Sequence, residues 1–489
     1  MNQITTASVT RYVEEHEALP DALTNLRSGR AVSAEGITAR MERLPAGGPV
    51  MFMVLMLALG AFFEIYDVFM TAYIAPALVS SGIFSRGSDT FWNVHSIGAF
   101  VAAIFLGFFV GTFFVTAIAD RLGRRKVFVI ALLWYTACSA IMAFQHQPVG
   151  IFIWRALAGV GLGAEIVTID TYLSELVPAS IRGRAYAFVQ SVQYLAVPLL
   201  AFLAWQLLPH ALFGLEGWRW VVLTGCFSAI AVWFIRLGLP ESPRWLASHG
   251  RIAEANRIVE KLEYRAARWT RRRLEEPDWR KSMTATEQPG FREAWKPPYL
   301  RRTVMLMVFN FFQSIGYYGF ASWVPTLLIA NGVGVTHSLM YSFVIAVANP
   351  LGPLMDLLFA DRVERKYLVA GSAAIFALVG ALFSTQHNPV LIVSLGVLLT
   401  LAGNCMSFSY RAYQAELFPT RIRARCIGTV YSVSRLSAMF SGFLIAFFLH
   451  HYGVSGVFAV IVGSMLIVVV VIGAFGPRTR GLRLEQISP

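Results

Sequence analysis

The chain has 489 residues, 56% of them hydrophobic and 14% charged, with a formal net charge of +13. So apolar a composition, laid out in runs of about 20 residues, excludes a water-soluble domain and describes a polytopic membrane protein, each run matching a hydrocarbon core about 30 Å thick. The arginine and lysine surplus lies in alternate loops, which argues against a nucleic-acid partner, and no nucleophile–base set or metal-ligand spacing points to an enzyme, a metal or a cofactor.

Residues 1–49 are polar and lack the charged, apolar and small-residue order of a cleaved signal, so they read as a cytoplasmic tail. Six apolar spans follow at roughly 51–78, 92–118, 127–145, 149–174, 185–207 and 219–237, forming a first unit over 50–237. Residues 238–301 are polar and basic, and Ile252, Ala255, Ile258, Val259 and Leu262 recur at helical spacing, which predicts an amphipathic helix in a cytoplasmic linker. A second unit over 302–476 holds spans at roughly 303–329, 338–359, 367–385, 389–415, 426–449 and 454–475, and 477–489 is a short tail. Hydrocarbon gives backbone groups no partner, so all twelve spans are predicted helical, making an all-α membrane protein. Basic clusters at Arg121 to Lys126, at Arg182 and Arg184, and through 244–302 place those loops and both termini in the cytoplasm. The outer loops are short and carry no Asn-x-Ser/Thr acceptor, which fits a bacterial inner membrane. Cys138, Cys226, Cys405 and Cys426 lie within or at the ends of spans and read as packing residues.

Span 1 contains FFEIYDVFM, with Glu64 and Asp67 in the middle of an apolar run. Each acid costs about 2.5 to 3.5 kcal/mol at a helix centre, so a function is expected of both. At 1.5 Å per residue Glu64 lies about 20 Å and Asp67 about 24 Å from the cytoplasmic end, while Arg155 in span 4 lies about 9 Å from the outer end, near the depth of Asp67. A pairing of Asp67 with Arg155 is therefore expected, with Asp67 the first choice for a proton site. Span 4 also carries Glu165, deep enough to be a second proton-linked acid, and Asp170.

The chain repeats itself. ADRLGRRK, with Asp120, Arg121, Arg124 and Arg125, recurs as ADRVERK at Asp361 and Arg362; ELVPASIR, from Glu175 to Arg182, recurs as ELFPTRIR, from Glu416 to Arg423. Both motifs recur 241 residues on (120 to 361, 175 to 416), the mark of a duplicated six-helix unit. These charges are expected to pair across the halves on the cytoplasmic side and so to gate a two-state equilibrium.

With these motifs, RALAGVGLG, YLSELVPASIRG, GWRW and PESPRWL make the chain resemble major facilitator superfamily transporters, in the branch of sugar porters, metabolite:proton symporters and organic ion transporters. Thr116 and Glu364 replace two glycines of the usual loop signature. The resemblance implies twelve helices in two pseudo-symmetric bundles, alternating access in the bilayer as a monomer, and a proton rather than a cofactor as the coupling partner. Tyr66-Asp67 and Arg155 match the helix 1 and helix 4 pair of proton-coupled sugar porters, and Glu64-x-x-Asp67 resembles the paired acids of aromatic acid:proton symporters.

The substrate positions depart from the hexose pattern. Gln190 and Gln193 persist in span 5, but span 7 reads FQSIGYY, keeping Gln313 and Gly316 while Phe312 and Tyr318 replace a glutamine and an asparagine. Arg411 stands where sugar porters usually have a tryptophan, and Arg435 lies about 15 Å into span 11. Two guanidiniums suit a carboxylate, unless Glu416 or Asp356 neutralises them. Tyr317, Tyr318, Trp323, Tyr410 and Tyr431 are candidates to flank a planar acid. The expectation is proton-coupled symport of a small, possibly aromatic, organic anion; the alternatives are a sugar or polyol symporter and, third, a drug:proton antiporter.

Overall fold

The computed structural model describes residues 33–85, 90–112, 121–236, 238–277, 295–297, 299–353, 363–418 and 420–479. The first half is built from α1 (Ala34–Glu42), α2 (Gly48–Ser80), α3 (Ile97–Val110), α4 (Arg124–Ala143), α5 (Pro148–Leu176), α6 (Ala179–Tyr194), α7 (Ala196–Leu207) and α8 (Gly217–Arg236). The linker folds into α9 (Pro243–Ser248) and α10 (Ile252–Thr270). The second half comprises α11 (Tyr299–Ala321), α12 (Val324–Ala330), α13 (Val335–Ala346), α14 (Arg365–Phe383), α15 (Pro389–Glu416) and α16 (Thr420–Phe475).

These helices account for the expected spans. Spans 5 and 7 are each broken once, into α6 with α7 and α11 with α12. Spans 11 and 12 run together as α16 and turn at Gly453, whose φ of 63° and ψ of −161° only glycine adopts cheaply. Among the described residues eight helical stretches are long and apolar enough to cross a membrane, and α3, α8 and α13 occupy the remaining expected positions. With 33 residues, α2 is about 50 Å long, more than a bilayer core requires.

The end of the bundle carrying α1, α9 and α10 is the linker end. At the opposite end the halves are in intimate contact. A Cβ added at Gly98 of α3 would lie 2.6 Å from the Gly442 carbonyl oxygen and from Ala446 Cβ, so the α3 and α16 backbones touch along a small-residue seam. Around it Trp92 packs on Phe443 (centroids 4.9 Å apart) and Phe440 (5.5 Å). On the other side of the bundle Trp205 of α7 stacks on Phe343 of α13 at 6.2 Å. The molecule is closed at this end by aromatic packing.

Residues 1–49 are not wholly a tail. Ser33 caps α1, its Oγ accepting from the Gly36 N–H at 3.0 Å, and Ile37, Met41 and Leu44 are buried. Arg40 and Arg43 both bind Glu263 of α10, at 2.6 and 2.7 Å. Glu42 accepts from the Ala179 N–H at the start of α6 and from Arg182 and Arg244. Three apolar residues are too short a periodic signal to stand out in a polar segment; the helix is held by partners more than 130 residues away.

Candidate transport site

Glu64 and Asp67 lie one turn apart on α2 but meet different surroundings. Asp67 is enclosed in the first half. Arg155 Nη1 donates to its Oδ2 at 3.0 Å, Ser139 Oγ donates to Oδ1 at 3.2 Å, and Arg155 Nη2 donates to Thr71 Oγ1 at 2.6 Å and to the Asp67 carbonyl. Arg155 is entirely buried, so the expected pair exists and is dry. A small cavity of mixed lining beside it is bounded by Asp67, Ser139 and Thr136 and by apolar residues such as Phe63 and Val222.

Glu64 turns instead toward the interface between the halves. It is buried, forms no hydrogen bond or ion pair with any described residue, and lies in the field of Glu165, Arg435, Asp170 and Arg411. Glu165 is fully buried on α5; Asp170, five residues on toward the linker end, is exposed and faces the charges of Arg411 and Arg435.

Arg435 of α16 is only 3% exposed, and its described polar partners are hydroxyls: Tyr431 at 2.7 Å and Tyr318 at 3.3 Å. Its Nε has no partner, and no described carboxylate lies within ion-pair distance. The guanidinium sits 4.6 Å from the ring centres of both Phe108 and Tyr431, while Phe105 meets Tyr318 at 4.6 Å. Phe105 and Phe108 belong to α3, so the Arg435 site is shared by the two halves. Across the interface Gln190 faces Arg411; with its amide oxygen toward the guanidinium it accepts from Nη1 at 2.7 Å and Nη2 at 3.3 Å.

Most other expected site residues serve the second half internally, although Tyr317 also meets Tyr194 of α6 across the interface between the halves. Tyr317 donates to Asn404 Oδ1 at 3.0 Å, and Asn404 in turn donates to Asn349. Gln313 donates to Ser407 at 3.2 Å. Tyr410 stacks on Phe309 at 4.0 Å and accepts from Asn310, and Trp323 is buried at the α11 to α12 break; both are in packed core. Gln193 is half-buried one turn from Gln190.

The loop charges pair differently from the expectation. Arg124 binds Glu175 and Arg365 binds Glu416, each at 3.1 Å, so each pair ties neighbouring helices of one half rather than the two halves to each other. Arg365 was not singled out in the sequence reading, although it stands 241 residues after Arg124 as Glu416 does after Glu175. Arg182 binds Glu42 and the Val177 carbonyl instead of Glu175. The Arg125 N–H donates to Glu241, and Arg121 is exposed. Asp120, Asp361, Arg362, Asp356 and the side chain of Arg423 lie outside the described residues. Phe105, Phe108 and Tyr194, the first-half residues that meet Tyr318, Arg435 and Tyr317, were missed because residues of these types abound in membrane helices and only assembly selects the ones at the site.

Buried charges facing each other across two homologous helical halves define a membrane transporter. Residues 53–489 match the family model described as "Sugar (and other) transporter", and the chain belongs to that family. It is similar to the niacin transporter NiaP of Acinetobacter baylyi (29% identity, 92% of this chain and 99% of the relative) and the inner membrane metabolite transport protein YdjE of Escherichia coli (29%, 92% and 98%). The gallate transporter of Pseudomonas putida is 27% identical over 78% of this chain and 82% of its own length. In fold it is similar to the xylose transporter XylE from E. coli in a partially occluded inward-open conformation, with a TM-score of 0.72, 19% identity and coverage of 89% and 99%. The protein is thus a multi-pass major facilitator transporter of metabolites, in the branch of sugar porters and metabolite transporters.

Proposed function

We propose that the transporter carries a small organic anion, an aromatic or other planar carboxylate, together with protons, by alternating access. The carrying observation is Arg435: a buried guanidinium held by two tyrosine hydroxyls, stacked on Phe108 and lacking a described carboxylate. An uncompensated buried charge costs several kcal/mol, so the site favours an anion that supplies the missing charge and the forked acceptor. Phe108, Tyr318 and Tyr431 would flank its planar body. Niacin and gallate, the cargoes in two relatives' names, are aromatic carboxylates.

The two acids divide the proton work. Glu64, facing Arg435 without a hydrogen bond, exchanges its proton as the anion enters and leaves. Asp67 in its ion pair with Arg155 is the deprotonated form; protonating it weakens the pair and frees α2 to move against α5. The linker end is the cytoplasmic end, so the conformation described is sealed from outside. A hexose is disfavoured because the Gln190 amide is engaged by Arg411 and that of Gln313 by Ser407. The protein works as a monomer with both termini in the cytoplasm, and a proton is its only coupling partner.

The test is proton movement into liposomes containing the purified protein as carboxylates, hexoses and cationic drugs are added singly. External alkalinisation with carboxylates alone is expected. A response to hexoses alone would overturn the anion assignment.

A further inference from the structure

A second cavity, of about 770 Å³, lies at the linker end, away from the interface between the halves. It is bounded by the starts of α2 and α4 and by one face of α10, which Trp269 holds against Gly47 and Gly48. Its walls divide by chemistry. Phe52, Val129 and Ile130 form an apolar side; Phe52 and Ile130 are 51% and 55% exposed and lie one to two turns, about 6 to 9 Å, into helices that enter the bilayer here.

The rim is cationic. Arg125, Lys126, Arg251, Lys261 and Arg265 line it with two acids, and both acids are engaged: Glu254 binds Arg251 at 2.6 Å, and Glu241 accepts from the Arg125 and Ser242 N–H groups. Lys126, Lys261 and Arg265 are exposed and form no ion pair or hydrogen bond with any described residue. A cationic rim over an apolar wall at headgroup depth matches an amphiphile with a negative head and does not match a soluble metabolite, which has no use for the apolar side.

We propose that this groove holds one anionic glycerophospholipid of the adjacent leaflet. Its phosphodiester lies among Lys126, Lys261 and Arg265, and an acyl chain runs along Phe52, Val129 and Ile130. The bound lipid bridges α10 to α2 and α4, and so stabilises the linker against the first half.

Native mass spectrometry of the full-length protein, purified in detergent with equimolar dioleoyl-phosphatidylglycerol and dioleoyl-phosphatidylcholine, tests this. One phosphatidylglycerol should be retained at least fivefold over phosphatidylcholine. The preference should vanish in Lys126→Gln/Lys261→Gln/Arg265→Gln and persist in Arg268→Gln/Arg271→Gln/Arg272→Gln, which removes equal charge outside the groove. Should the first triple variant fail to fold, Lys261→Gln alone should halve the preference or more. Equal loss in both triple variants would mean diffuse attraction, and overturn the site. Displacement of the lipid by millimolar glycerol 3-phosphate would mean a soluble anion site, and overturn the lipid assignment. No preference in the unaltered protein would overturn both.

Discussion

Arg155 and Arg435 are both buried guanidiniums in membrane helices, one in each half, and they are solved in opposite ways. Arg155 has a carboxylate, a threonine hydroxyl and a carbonyl. Arg435 has two phenols, two aromatic faces and no described carboxylate; the Nε of each arginine lacks a partner. A charge that is neutralised internally belongs to the protein's own state; a charge left with neutral acceptors and rings is compensated only when something else arrives. In the proposed mechanism the first half holds the protonation switch and the second the anion receptor, with Glu64 on α2 the carboxylate that senses both.

The comparison breaks most visibly if the acid beside Arg155 is dispensable. Asp67→Asn should abolish proton-driven accumulation in proteoliposomes while counterflow exchange survives; accumulation at the unaltered rate would remove Asp67 from coupling. Next comes stability. Arg155→Leu strands Asp67 in a dry site and should lower unfolding free energy by about 3 to 5 kcal/mol. Arg435→Leu removes a charge without stranding one and should cost less than about 1 kcal/mol or be stabilising, by the same reasoning. Equal losses in thermal unfolding would show that Arg435 is paired as Arg155 is.

Affinity sharpens the contrast further. Losing charge-assisted hydrogen bonds worth about 1.5 to 3 kcal/mol, Arg435→Gln should weaken carboxylate binding roughly 10- to 100-fold, against only a few-fold for Tyr431→Phe. Binding of the transported carboxylate to purified protein, read calorimetrically, separates the two; unchanged affinity in Arg435→Gln refutes the receptor role.

The smallest effect concerns a third charge cluster, at the surface. Burial pushes the Glu42 carboxyl up, but the Ala179 N–H, Arg244 and Arg182 together outweigh it and hold the group below its ordinary value. A depressed carboxylate contributes stability above its unfolded pKa, about 4.3, and loses it as pH falls through the folded value. Hydrogen-exchange protection of α1 should therefore be flat from pH 7 to about 5 and fall on further acidification, and Glu42→Gln should remove that acid step. Protection that falls equally in both proteins would assign the step elsewhere.

Much was legible without coordinates. Apolar runs of bilayer length fix helices because hydrocarbon offers the backbone no other partner, and two motifs at a single spacing of 241 residues fix the duplication. The Asp67 and Arg155 pair was legible too, since charges that deep must find each other and their depths follow from helix rise. What tertiary structure alone decided is which of several similar residues meet. Arg124 and Glu175 pair within a half because α4 and α5 are neighbours; Tyr410 is packed on Phe309 while Tyr431 reaches Arg435. A membrane sequence states what each helix must bury, lipid being equally indifferent to every apolar face; only the packing of helix on helix determines which faces enclose the charges.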